Sequence, residues 1–166
     1  MQELSAPPSV LRRIAVMVYE AMLLFGVVFI AGWLFGTLLQ QRNALYLRGI
    51  LQYWLFFVIG AYFIWFWSHG GQTLAMKTWK VRLVAKDGGN VSLQRAAARF
   101  ALSWLWIVPG LLAAWLLGAR GWMLVVIPTV NIVVWAALCL LDPARQFLHD
   151  RLAGTRVINV AYPKKK

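Results

Sequence analysis

RRIAVMVYE, residues 12–20, sets two arginines and a carboxylate at the mouth of an apolar run that continues to Leu39. The run is long enough to cross a bilayer, and a charge that deep in a membrane helix is costly and needs a partner or a purpose. Arg13 and Glu20 lie two helical turns apart, so they share nearly one face, about 10 Å apart along the axis. A basic start followed by apolar residues is also the pattern of a signal peptide. Here the run is too long, Glu20 interrupts it and no small-residue cleavage site follows. The stretch therefore reads as an uncleaved first transmembrane helix.

Composition agrees with that reading outward from it. The 166 residues are 61% hydrophobic and only 13% charged, with a mean hydropathy of +0.67. A soluble domain of this length could not hide so much apolar surface, which leaves lipid as the solvent. Further apolar runs over residues 49–67, 100–117 and 122–141 join the first, at 14–39, to make four spans. Gly32 and Gly36 form a GxxxG on the first, and Tyr62, Trp65 and Trp67 crowd the end of the second as an interfacial aromatic belt. The third carries Pro109-Gly110 and the fourth Pro128 and Asn131, all near mid-membrane depth.

The polar stretches predict the remaining elements. WKVRLV, from Trp79 to Val84, alternates apolar and basic residues as a strand does, and KDGGN after it is a turn. Leu93 to Arg99 is a basic lead-in to the third span. Asp142 suits an N-cap, Pro143 a first helical position and Gly154 the residue past a helix end. A short amphipathic surface helix is expected between them, with Phe147, Leu148 and Leu152 on its apolar side. Thr155 to Val160 is a second strand, expected to pair with the first. The fold class is thus an all-α membrane protein of four transmembrane helices with a small cytoplasmic β hairpin or sheet and a short C-terminal amphipathic helix. One membrane domain covers residues 10–160, with a disordered tail at 1–9 and a basic tail at 161–166.

Charge placement predicts orientation. There are 17 Lys and Arg against 5 Asp and Glu, a net charge of +12. Fourteen of those positives sit before the first span, in the loop from His69 to Arg99 and after the last span. By the positive-inside rule both termini are cytoplasmic. The positives fall in blocks beside spans and not along one groove, which argues against nucleic acid and for anionic lipid headgroups as counterions. Cys139 is the lone cysteine, so no internal disulfide forms. No metal-ligand cluster, phosphate loop or nucleophile constellation is legible, so neither an enzyme nor a bound cofactor or metal is expected.

Several of these motifs together resemble the RDD family of membrane proteins, which is named for an arginine at the start of its first helix and for two aspartates. Arg13 matches the arginine, and Glu20 stands at the helix position of the first aspartate, with one methylene more. Asp150 matches the second, within DPARQFLHDRLAGTRVINV, which is similar to the family's tail pattern D-x-x-x-Q-x-x-H-D-x-x-A-G-T-x-V. GGQTLAMKTWKVRLV resembles the loop after the second helix, with Ala75 where the family often has glycine, and KDGGNVSLQRAAARF the lead into the third. The resemblance runs from about Arg12 to Val160 and implies a bacterial cytoplasmic membrane and transport of an ion or small ligand.

The candidate site is a charge cluster of Arg13, Glu20 and Asp150 at the cytoplasmic mouth, with Asn131, His149 and Arg99 as secondary candidates. Glu20 either pairs with Arg13, Arg99 or Arg151 and fixes helix packing, or serves as a proton or cation site. Asp150, mid-helix, caps nothing. His149 and His69 would titrate near neutrality if solvated. Asn131 would mark a binding site where helices are interrupted, or a packing hydrogen bond. Two functions follow: proton-coupled transport of a cation or small solute, in which a four-span bundle would act as a homo-oligomer, or a scaffold or assembly factor docking through its basic surface and the WKVRLV edge. If the protein transports, polar residues should line a path from Glu20 to Asn131; if it scaffolds, the bundle interior should be dry and packed.

Overall fold

The computed structural model describes residues 8–40, 47–142 and 146–160. The tail up to residue 7, Arg42, Pro143 and the basic tail after residue 160 lie outside the described residues. Helix α1, Val10–Leu38, starts where the Ser9 hydroxyl accepts the Arg12 N–H at 3.3 Å. Its 29 residues reach roughly 43 Å, against a hydrocarbon core of about 30 Å. Helix α2, Arg48–Ser68, packs back along it, and Trp54 donates its indole N–H to the Ala31 carbonyl at 3.1 Å.

The third span is not one helix. Amphipathic α4, Leu93–Ser103, begins at an N-cap on Ser92 and gives way to a 3₁₀ turn at Trp104–Trp106, after which α5, Val108–Leu116, resumes. The expected lead-in at Leu93 to Arg99 is thus the first half of the span itself, and the break falls just before Pro109, which occupies the first turn of α5. Helix α6, Met123–Ala137, returns after a turn with Gly118 and Gly121 at positive φ. Four described helical spans are long and apolar enough to cross a membrane: Val10–Leu38, Arg48–Ser68, Leu93–Leu116 and Met123–Leu140.

Strand β1, Val81–Ala85, pairs antiparallel with β2, Thr155–Asn159, with Leu83 opposite Val157. The expected pairing forms, with β1 displaced two residues toward the turn. Helix α3, Leu74–Thr78, precedes β1 and is capped by the Thr73 hydroxyl. Both outer edges of the sheet are occupied. The Leu83 N–H bonds the Gly71 carbonyl at 2.7 Å and the Val81 carbonyl accepts from the Gln72 amide at 2.8 Å. On the other edge the Gln146 amide grips Val157 through both its N–H and its carbonyl. Gly71 has φ +68°, and a Cβ there would lie 2.2 Å from the Leu83 carbonyl oxygen.

The C-terminal helix is α7, Leu148–Leu152. It is shorter than expected, and while Phe147 at its start is buried as an apolar-side residue, the helix also turns polar residues inward. His149 and Asp150 are its buried residues, whereas Leu152 is exposed. Asp142 does not cap it; its carboxylate accepts the Gln146 N–H at 2.8 Å, two residues ahead of the helix. Gly154, at φ +65°, does stand just past its end. The closed apolar core lies where α1, α2 and α4 meet the sheet, around Val16, Trp67, Met76, Leu83, Phe100 and Val157. Elsewhere the large apolar side chains of α1, α5 and α6 face outward, as they do when lipid is the solvent.

Candidate functional site

Residues of α1 that recur at helical spacing, Arg13, Val16 and Glu20, form its buried face at the sheet end. Arg13 is buried and its guanidinium stands over the Phe147 ring, 5.5 Å from the centroid. Glu20 is also buried, and both its oxygens accept from hydroxyls: Tyr62 donates to Oε1 at 2.7 Å and Thr73 donates to Oε2. Among the described residues no salt bridge reaches Glu20. The pairings expected for it fall elsewhere. Arg99 is bound to Asp150, and Arg151 to Asp142 at 3.6 Å on the surface.

Asp150 is fully buried. Arg99 donates from Nε to its Oδ1 at 2.7 Å while stacking its guanidinium on Trp67, 4.1 Å from the ring centroid. Asp150 Oδ2 has no hydrogen-bond partner among the described residues. Burial pushes the Asp150 carboxyl up, but the charge and hydrogen bond of Arg99, helped by His149 and Arg13, hold it below the ordinary carboxylate value. It is therefore ionised.

His149 owes its state to its neighbours. Trp106 donates its indole N–H to His149 Nδ1 at 3.0 Å, and an indole nitrogen only donates. The imidazole proton therefore sits on Nε2, which lies 3.5 Å from Asp150 Oδ1. Protonating Nδ1 would set two donors against each other. Burial pushes this histidine down to about 4, outweighing the attraction of Asp150, with Arg99 and Arg13 adding to the fall. It is neutral at pH 7.

Arg13, Glu20, Arg99, His149 and Asp150 all line one cavity of about 270 Å³. Apart from Ser103 and the indole of Trp106, its remaining wall is apolar, including Leu24, Phe63, Met76 and Val157. Asn131 does not line it. Its amide donates to the Trp106 carbonyl at 2.6 Å, tying α6 to the 3₁₀ turn at the point where Gly110 admits α6 so closely that a Cβ would lie 2.8 Å from Pro128 Cα. The cavity that Glu20 lines does not extend to Asn131, which is engaged with backbone. Three His, Cys, Asp or Glu side chains placed to hold a metal ion are not found among the described residues.

Tyr62 and Trp67, expected in an aromatic belt, turn inward to Glu20 and Arg99, whereas Trp65 stays exposed and stacks on His69. Thr73 went unnoticed in sequence, as did Trp106. The GGQT motif was the available signal for Thr73, since a threonine heading a short helix places its hydroxyl at the helix end. Arg12 is a further contributor: it donates to the Trp79 carbonyl at 3.0 Å and to Asn159 Oδ1 at 3.1 Å, fastening α1 to both strands.

Four apolar spans closed at one end by a small sheet, with ionisable groups buried beneath, define a multi-pass membrane protein. A family model for the RDD family matches residues 7–154. The chain belongs to that family, and the match takes in every residue of the cavity named above except Val157. Neither a curated protein nor a solved structure matches the chain.

Proposed function

We propose that this protein carries a cation or small solute across a bacterial cytoplasmic membrane, with Glu20 exchanging a proton as it does so. The observation that carries the reading is the setting of Glu20: a buried carboxylate inside a span, held by two hydroxyls and by no cationic side chain among the described residues. A hydroxyl donates to a carboxylate and accepts from a carboxylic acid, so Tyr62 and Thr73 accommodate either protonation state, which an arginine would not. The positive blocks beside the spans support a cytoplasmic side for the sheet and both termini, against anionic headgroups. The protein is neither an enzyme nor a nucleic-acid binder in this reading, and Gly32 and Gly36, with open space beside them, offer a face for a homo-oligomer. A scaffold docking by strand addition has less support, because both sheet edges are occupied.

Proteoliposomes carrying wild type or Glu20→Gln, under Na⁺ and K⁺ gradients with a lumenal pH dye, test this. Coupled flux in the wild type, lost in a folded Glu20→Gln protein, is the expected result. A wild type that moves neither ion nor proton overturns it and returns the scaffold.

A further inference from the structure

The cavity is unlike the site of a bare metal cation. At about 270 Å³ it has room for several waters at roughly 30 Å³ each, and most of its wall is hydrocarbon and aromatic. Hard cations take six or more oxygens at short range, whereas this wall concentrates its acceptors in two carboxylates. One of those carboxylates carries an unused acceptor: Asp150 Oδ2, in a side chain with no exposure, is without a hydrogen-bond partner among the described residues. A buried acceptor left alone calls for a donor.

The cavity also has a side entrance. Met17 and Ala21 line it and are exposed, so it reaches the surface on the flank of α1. Because α1 is a span, that flank faces the leaflet at the sheet end. Near Asp150 the walls become aromatic. Trp106 and Phe147 meet edge to face with centroids 5.1 Å apart, and Phe147 stacks on His149. Aromatic faces favour an organic cation over an anion. Arg99 is committed to Asp150 Oδ1 and Trp67, and Arg13 stands over the Phe147 ring, which leaves Asp150 Oδ2 as the open acceptor on this wall.

We infer that the cavity binds an amphipathic organic ammonium ion, which enters sideways from the leaflet past Met17 and Ala21 and sets its N–H against Asp150 Oδ2 with its apolar body along Leu24, Phe63 and Met76. The inference rests on the solute-transport reading and names the class of solute. The neutral His149 beside Asp150 adds no positive charge to oppose the guest, and Glu20 with Asp150 offsets the charges of Arg13 and Arg99 on the same wall.

The test uses the full chain in lipid nanodiscs and radiolabelled 2-phenylethylammonium as the probe. Saturable binding that excess 2-phenylethanol and NaCl fail to displace is expected, weakened about tenfold or more in Asp150→Asn. That variant leaves Arg99 without its partner and threatens the fold, so Ala21→Trp, at an exposed position on the entrance, carries the same expectation from the mouth. Binding that is non-saturable, equal for the neutral alcohol or unchanged in a folded Ala21→Trp protein overturns the inference. Proton-coupled Na⁺ or K⁺ flux without ammonium binding overturns it while sparing transport. Ammonium binding without flux of any solute supports the site and removes the transport reading.

Discussion

At the sheet end of the bundle five ionisable side chains, Arg13, Glu20, Arg99, His149 and Asp150, are buried against one another and against aromatic rings. The α5–α6 hairpin buries no charge among the described residues, and α6 has no buried residue at all. It meets α5 through Gly110, Pro128 and Asn131, by close backbone approach and one amide-to-carbonyl bond. In a membrane the hydrophobic effect does not drive helices together, so packing and hydrogen bonds must. The hairpin relies on close packing, with the Asn131 amide as its polar tie to the 3₁₀ turn. The sheet end instead buries an ion pair and hydrogen-bonded carboxylates, and the proposed function rests on that difference.

The strongest challenge to this contrast is Asp150→Ala. Removing one member of a buried ion pair strands the other, at a cost of about 3–5 kcal/mol, so the variant should lose most of its thermal stability in detergent, read by the melting temperature. A near-wild-type melting temperature would mean that Arg99 finds another counterion and that the pair is not central. Acid should act next in size. His149 is held near 4 against an ordinary 6.5: the native state refuses a proton that the unfolded chain accepts. Its stabilising contribution is complete above about pH 6.5 and falls away as pH drops toward 4, by about 3 kcal/mol in all. Asp150, held below its ordinary value, adds a further loss at still lower pH. Melting temperatures from pH 7 to 4 should therefore fall in the wild type and much less in His149→Gln, whose amide oxygen still accepts from Trp106.

In the hairpin the expected effects are smaller. Gly110→Ala drives a methyl against Pro128 and Asn131 and should cost about 1–3 kcal/mol, read by the same melts. A larger loss than Asp150→Ala produces would reverse the ranking of the two regions. Smallest of all is Gly36→Leu, where an added side chain meets open space. Monomer stability should shift by less than about 0.5 kcal/mol, and cross-linking would show whether an oligomer uses that face.

The same contrast explains what the sequence made legible. The spans at 10–38, 48–68 and 123–140 stand out because lipid demands long apolar runs, and the alternation in WKVRLV and TRVINV foretold the β1–β2 pairing. The break at Trp104–Trp106 was hidden because its residues are as apolar as a straight helix would need. Arg13, Glu20 and Asp150 were nominated from charge in an apolar setting and from the family's motif, and all three line the cavity. Their partners were not legible. Arg99 lies 51 positions from Asp150 and Thr73 lies 53 from Glu20, distances at which no helical or strand period relates two side chains. At α7 Phe147 is buried but Leu152 is not, and His149 and Asp150 turn in beside it, because in a chain whose interior holds charge a short helix buries polar side chains too.

The clasp between Arg12 and Asn159 joins residues 147 positions apart. During synthesis α1 and β1 emerge early, whereas Asp150, the Gln146 clip and β2 arrive only after the last span. Until then Arg99 lacks the Asp150 counterion and β1 lacks its strand partner, which makes the sheet a latch that only a finished bundle can fasten.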